Sequence, residues 1–179
     1  GGTSRFAEKL DSMFTYHPAA DEELPIFSTG MIGQYAHGNE PSHHVTYLYA
    51  LAGRPERTQE LIREIFDTQY RNKPDGLCGN DDCGQMSAWY ILNSMGFYQV
   101  CPGKPVYSIG RPLFEEVTIN LPDRKTFVIR THNNSKTNKY IESVLLNGKP
   151  LDVPFFTHDD LVRGGTMEIT MSPVPTEWG

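Results

Sequence analysis

The feature that most constrains the fold of this chain is a change in hydrophobic period near residue 100. Before that point apolar residues recur with the spacing of amphipathic helices, and after it they alternate with polar residues as in β-strands. Helices followed by strands are typical of the α+β class, in which the two kinds of element segregate. We therefore predict an α+β protein with a helical part over residues 1–103 and a strand-rich part over residues 104–179.

Four segments of the first part have a helical pattern. The segment "SHHVTYLYALAG" is predicted to begin at a capping Ser42 and to end at Gly53. The segment "RPERTQELIREIFDTQY" carries Pro55 in its first turn, and "GQMSAWYILNSMG" ends just before Gly96. The first helix is predicted in "SRFAEKLDSMF". The predicted inward faces of the first and third helices comprise Phe6, Leu10, Phe14, Leu61, Ile62, Ile65 and Phe66.

The second part of the chain has the two-residue period of strands. The segments "FEEVTINL", "KTFVIRTH", "YIESVLL" and "TMEITMS" alternate in polarity, and "NGK" is typical of a hairpin turn. We predict an antiparallel β-sandwich or sheet of five or six strands. The prolines and glycine of "CPGKP" end the last helix and mark the boundary between the two parts.

Composition excludes two classes of partner. The 179 residues carry a net charge of -6, and no stripe of basic residues is present, so the chain lacks the electrostatic signature of a nucleic-acid binder. No apolar run is long enough to span a bilayer. The 38% of hydrophobic residues is sufficient for a packed core.

The three cysteines do not form the pattern of a disulfide framework. Cys78 and Cys83 are close enough in sequence to bridge a tight loop, and the alternative is that they are free thiols. A zinc site that combines these cysteines with His43 and His44 is a further alternative. Its C-x4-C spacing differs from the usual C-x2-C, and acidic residues fill the loop.

Two polar loops of the helical part are unlike ordinary connectors. One is "GQYAHGNEPSHH" at residues 33–44, and the other is "GLCGNDDCG" at residues 76–84; each precedes a predicted helix. Asp81 and Asp82 are adjacent and repel each other, so they require a cation, a helix N-terminus or a hydrogen-bond cage nearby. Taken singly, a histidine of the first loop is more simply explained as a core or capping residue. Glu40 taken singly can be explained by a favourable interaction with a helix dipole.

These loops resemble two signature blocks of glycoside hydrolase family 92. The blocks are "HGNEPSHHVTYLY" and "GNDDCGQMSAWYILNSMGFYQVCPG", and the similarity continues through "PLFEEVTINLPDRKTFVI", "YIESVLLNGKPL" and "THDDLVRGGTMEITM". The resemblance implies a calcium-dependent, exo-acting α-mannosidase that inverts configuration. It also implies that residues 1–103 are helical hairpins of an (α/α)6 barrel and that the chain is the C-terminal portion of an enzyme acting on mannose-containing glycans.

The resemblance assigns roles to seven residues of the first two blocks. Asp82 matches the general base, and Asp81 would orient the attacking water or its partner. The resemblance further implies that Ca²⁺ is the cofactor. The expected sugar-binding residues are His37, Asn80 and Gln85, and the expected metal ligands are Glu40 and Asn39.

The resemblance also shows what the chain lacks. An inverting glycosidase needs a general acid as well as a base, and no glutamate here lies in a motif that matches the acid. We therefore expect the chain alone to be inactive and to depend on the missing N-terminal part of the same polypeptide. Secretion or a periplasmic location is expected from the family. Two alternatives stay open: a non-catalytic fragment or carbohydrate-binding module, and a zinc-type hydrolase that uses His37, His43 and His44.

Overall fold

The computed structural model describes residues 1–17, 19, 23–26 and 28–179. Within them, helices dominate the first hundred residues and strands the remainder. The helices are α1 (Gly2–Thr15), α2 (Leu48–Leu51), α3 (Pro55–Thr68), α4 (Gln85–Met95) and α5 (His158–Arg163). The strands are β1 (Met31–Ile32), β2 (Tyr35–Ala36), β3 (Phe97–Tyr98), β4 (Val106–Ile109), β5 (Glu116–Asn120), β6 (Thr126–His132), β7 (Tyr140–Leu146), β8 (Lys149–Pro150), β9 (Phe155–Thr157) and β10 (Gly165–Ser172). This mixed content confirms the predicted α+β class.

The long helices follow their sequence patterns. Helix α3 begins at Pro55 and buries the predicted apolar face, and α4 ends at Gly96, whose φ of 101° is in the left-handed region that glycine favours. Helix α1 buries Leu10 and Phe14 as predicted. Phe6 is 41% exposed, and Ala7 takes the inward position in its place.

The predicted helix from Ser42 to Gly53 is largely wrong. Two 3₁₀ turns, at Glu40–Ser42 and Val45–Tyr47, precede the four-residue α2. The side chain of Ser42 caps no helix, because Ser42 ends the first 3₁₀ turn. Both His43 and Thr46 of this stretch are buried, although they are only three residues apart in a chain that turns tightly.

The strands form a five-stranded sheet in the order β5-β6-β10-β7-β8, a three-stranded sheet in the order β3-β4-β9 and a two-stranded sheet of β1 and β2. The prediction of an all-antiparallel arrangement is wrong for one pair, because β10 runs parallel to β6. The segment between these two strands contains β7, β8, β9 and α5, which is long enough for the crossover that a parallel pair requires. The boundary drawn at residues 103 and 104 falls within the smaller sheet, where β3 pairs with β4.

The apolar side chains form two cores. One lies between the helices and includes Trp89, and the other lies against the strands and includes Phe127; Leu92 of α4 packs against both. Polar contacts also join the halves, since the side-chain oxygen of Gln59 accepts a 2.8 Å hydrogen bond from the backbone N–H of Ile141. Among the described residues, no helix is long and apolar enough to cross a membrane.

Candidate functional site

The two polar loops identified in the sequence meet at a pair of glycines. A Cβ atom added to Gly79 would lie 2.6 Å from the carbonyl oxygen of Gly38 and 2.8 Å from its Cα. At this distance the position of Gly79 has no room for a side chain. The contact places Asn39 and Glu40, which follow Gly38, beside the aspartate loop that follows Gly79.

Asp81 is tied to the N-terminus of helix α4. Its carboxylate accepts a 2.9 Å hydrogen bond from the backbone N–H of Ser87, and its carbonyl oxygen accepts bonds from the N–H groups of Gly84 and Met86 at 3.1 and 3.3 Å. These N–H groups have no partner within the helix, and the helix dipole favours a negative charge at this end. One of the two adjacent aspartates is therefore held by the backbone.

Asp82 faces Glu40 across the glycine contact. Interaction between the two side chains raises the pKa of Asp82 and lowers the pKa of Glu40. Asp82 has a φ of 45° and Cys83 a φ of 60°, values that non-glycine residues rarely adopt. Such backbone strain is concentrated at functional sites, where the surrounding structure maintains it.

The oxygen atoms at this contact fit a hard cation. One carboxylate oxygen of Glu40, Oε1, is buried and has no hydrogen-bond partner among the described residues. The carboxylate of Asp82 lies beside that of Glu40. The half-buried Asn39 directly precedes Glu40 in the chain. Carboxylate and amide oxygens are ligands that Ca²⁺ prefers, and Ca²⁺ takes six to eight of them, so water, a substrate or other parts of a protein would complete the shell.

His37 does not fit the predicted contact with a sugar. Its side chain is 0% exposed, and both ring nitrogens are hydrogen-bonded, Nδ1 to the hydroxyl of Tyr35 at 2.7 Å and Nε2 to that of Tyr70 at 2.8 Å. The Tyr70 hydroxyl donates to the carbonyl oxygen of Met86, so His37 Nε2 is the donor in its bond to Tyr70. Burial lowers the pKa of His37 to about 3, which keeps it neutral. Through these two hydrogen bonds, His37 holds the loop of residues 33–44 in place.

His43 and Gln85 form a second link between the loops. His43 Nε2 donates to the carbonyl oxygen of His37 at 2.9 Å, which leaves Nδ1 to accept from the amide of Gln85 at 3.2 Å. The same amide nitrogen lies 3.3 Å from the Tyr98 hydroxyl. Tyr70 and Tyr98 were missed by sequence reasoning, since neither lies in a polar loop. The only signal in the sequence was that both residues are aromatic, and aromatic residues are equally typical of a hydrophobic core.

The zinc alternative has little geometric basis. All three cysteines are free thiols, so Cys78 and Cys83 do not form the bridge that their spacing would allow. Both ring nitrogens of His37 and of His43 are engaged within the protein, so neither imidazole has a free ligand atom. Within the part of the chain that the structure describes, no three His, Cys, Asp or Glu side chains converge as a metal site.

An open groove of about 610 Å³ is lined in part by Glu40. Glu40, His44 and Gln85 supply its polar edge, and Tyr98 and Leu92 supply apolar surface, a combination suited to a sugar ring. Asn80 is exposed in the aspartate loop itself. A second cavity of about 590 Å³, lined by Tyr70, Tyr90 and others, contains no carboxylate and offers less chemistry.

Comparison with known proteins defines the class. Residues 1–173 match the model of the glycosyl hydrolase family 92 catalytic domain, so the chain belongs to this family of glycoside hydrolases. This confirms the resemblance seen in the sequence.

Three individual proteins of known description or structure are similar to this chain. A protein of Arthroderma benhamiae described as an uncharacterized secreted glycosidase is 37% identical over 182 residues. A family GH92 alpha-mannosidase of Bacteroides thetaiotaomicron, solved in complex with mannoimidazole, is 41% identical over 98% of this chain with a TM-score of 0.91. A family GH92 inverting mannosidase of the same bacterium is 40% identical over 99% of this chain with a TM-score of 0.83.

The chain spans only part of each relative. It covers 21% of the Arthroderma glycosidase and 23% and 25% of the two Bacteroides structures. The residues described here are therefore comparable to one region of a much longer enzyme.

Proposed function

We propose that this chain is part of an inverting, calcium-dependent exo-α-mannosidase that hydrolyses α-mannosidic linkages of glycans. The observation that carries the proposal is the juxtaposition of Asp82 and Glu40 across the Gly38–Gly79 contact. Membership of family 92 supports it, because two solved relatives are described as mannosidases and one of them as inverting.

Asp82 is the general base in this proposal, and Asp81 is a positioning residue. Asp81 is bonded to the backbone of Ser87, so it fixes the loop in which Asp82 has its strained conformation. A base that removes a proton from water must itself be ionised. Glu40 alone has the opposite effect, since it raises the pKa of Asp82. A cation between the two carboxyl groups would reverse this and hold both ionised.

Calcium is the cation that we assign to this position. Glu40 and Asn39 would bind it, because the orphaned Oε1 of Glu40 lacks any other partner among the described residues. Glu40 and Asn39 would hold the ion beside the sugar, where it would supply positive charge. Asn80 and Gln85 would contact the sugar, Asn80 from the exposed loop and Gln85 from the edge of the groove.

The general acid and the rest of the barrel would come from other parts of the polypeptide. Inverting glycosidases hold their general acid and general base about 6.5–9.5 Å apart. In this proposal the chain supplies only the general base. We assign α1, α3 and α4 to the (α/α)6 barrel of the complete enzyme. An extracellular or periplasmic location is proposed on the ground that the Arthroderma relative is described as secreted.

The stereochemistry of the product tests the proposed reaction. The full-length polypeptide that carries this chain is incubated with an α-mannoside, and the anomeric proton of the released mannose is followed by NMR during the first turnovers. A single displacement by water gives β-mannose first, and mutarotation follows. Initial release of α-mannose would mean a covalent intermediate and would contradict the role of Asp82 as a base.

A further inference from the structure

A buried arginine lies outside the candidate site. Arg111 occupies the connection between β4 and β5 and is 1% exposed. It lines a cavity of about 410 Å³ between α3, the side of α4 that carries Tyr90, and the segment 134–136. The cavity thus lies where the helical and strand-rich halves of the chain meet.

The guanidinium of Arg111 is incompletely satisfied. Its Nη2 donates to the carbonyl oxygen of Ser135 at 2.7 Å. Its Nε and Nη1 are buried and have no hydrogen-bond partner among the described residues. Orphaned donors on a buried cation are costly, and the cost falls when an acceptor with negative charge is present.

The charges around the cavity do not neutralise Arg111. Arg63 and Lys136 are the other cations of the lining, and Asp67 and Glu115 are its anions. Asp67 already accepts a 2.6 Å hydrogen bond from Nε of Arg63. Burial and the neighbouring Arg63 lower the pKa of Arg111 to about 10, so the group keeps its charge at neutral pH. One positive charge of the lining is therefore uncompensated.

We propose that this cavity is an oxyanion site in which Arg111 binds a carboxylate, sulfate or phosphate group. A planar guanidinium offers several donors in a geometry that suits such groups, and they supply the charge that a water molecule lacks. The oxyanion has two sources: a small anion from solution, or an acidic side chain from a part of the polypeptide outside residues 1–179. In either case the ligand joins the two halves of the chain.

The test uses the full-length polypeptide with sodium sulfate as the probe, compared with sodium chloride at equal ionic strength. Sulfate affinity is measured by calorimetric titration, and the thermal midpoint is recorded in parallel. The variants are Arg111→Met and Arg111→Lys. The matched control is Arg163→Met, because Arg163 is an exposed arginine paired only loosely, at 3.6 Å, with Asp160.

Two results support the site and distinguish the sources. If the oxyanion comes from solution, sulfate binds the wild type and raises its midpoint, Arg111→Met weakens the affinity roughly 10- to 100-fold, and Arg163→Met leaves it unchanged. If an internal carboxylate fills the site, sulfate has no effect on the wild type, and Arg111→Met lowers the midpoint. Carbodiimide then cross-links the Arg111→Lys variant to an acidic residue outside residues 1–179, as located by mass spectrometry.

Two other results overturn the proposal. An unchanged or raised midpoint for Arg111→Met without any sulfate response would show that the charge has no anionic partner. A lowered midpoint with neither sulfate binding nor that cross-link would leave Arg111 with a packing role only.

Discussion

The Gly38–Gly79 contact offers a direct test of how the site is assembled. In Gly79→Ala the new Cβ would lie 2.6 Å from the carbonyl oxygen of Gly38, whereas ordinary contacts begin at 3.4 Å, so the loops must separate by about 0.8 Å. Since a misplacement of about 1 Å can cost about 10²-fold in rate, we expect kcat to fall roughly 10- to 100-fold. The strain should also lower the free energy of unfolding by about 1–3 kcal/mol.

The assay is hydrolysis of mannobioses by the full-length polypeptide, with the thermal midpoint measured on the same samples. Gly103→Ala is the matched control, because a Cβ at Gly103 meets nothing within 4 Å, and this variant should keep the wild-type kcat. An unchanged kcat for Gly79→Ala would refute the view that close approach of the loops sets the position of the catalytic groups.

Three further predictions follow from the site and from the strand-rich half. A calcium chelator should abolish mannosidase activity of the full-length polypeptide, and calcium but not zinc should restore it, because the candidate ligands are oxygens; recovery with zinc alone would contradict this assignment. The chain of residues 1–179, assayed alone on mannobioses with calcium, should show no turnover, since the proposed general acid lies outside these residues; a rate like that of the full-length polypeptide would disprove this. Asp160→Asn should lower the free energy of unfolding by about 0.5–2 kcal/mol near neutral pH, because Asp160 completes a capping box with Thr157. The capping bonds lower the pKa of Asp160 below its usual 3.8. The folded state therefore favours the ionised form, and the difference between the variants should be constant above about pH 5 and shrink as the pH falls below 3.8; a difference that grows in acid would contradict this.

Local determinants in the sequence predict two of the helices correctly. Helices α3 and α4 were predicted because apolar residues lie on one face and Pro55 and Gly96 define their ends. Helix α5 was missed, although Thr157 and Asp160 have the spacing of a capping box. That signal was available, but the six residues are too few to show a period.

Two other features depend on contacts between distant parts of the chain. The parallel pairing of β10 with β6 depends on a crossover, and the alternation within each strand does not encode its partner. His37 is a polar residue in a polar loop, as a ligand-binding residue often is. Hydrogen bonds to Tyr35 and Tyr70 nevertheless hold its side chain in the protein interior. Whether a polar loop residue faces solvent or the core depends on such partners, which spacing alone does not identify.

The candidate site was predicted in outline. The sequence placed Asp81, Asp82 and Glu40 in two loops before helices, and the structure brings these loops together. The resemblance had already assigned the base role to Asp82 and an orienting role to Asp81; the structure adds that the carboxylate of Asp81 accepts a hydrogen bond from the backbone N–H of Ser87.

The central claim is that Asp82 is the base of an inverting mannosidase, and comparison of Asp82→Asn with Asp81→Asn tests it most directly. In the full-length polypeptide with calcium, Asp82→Asn should lower kcat by about 10²–10⁴-fold with an unchanged fold, because an amide cannot accept the proton of water. Asp81→Asn should lower kcat less. Azide, which needs no base, should partly rescue Asp82→Asn and give a β-mannosyl azide. A larger loss of kcat in Asp81→Asn, or an Asp82→Asn enzyme with wild-type kcat, would contradict the account.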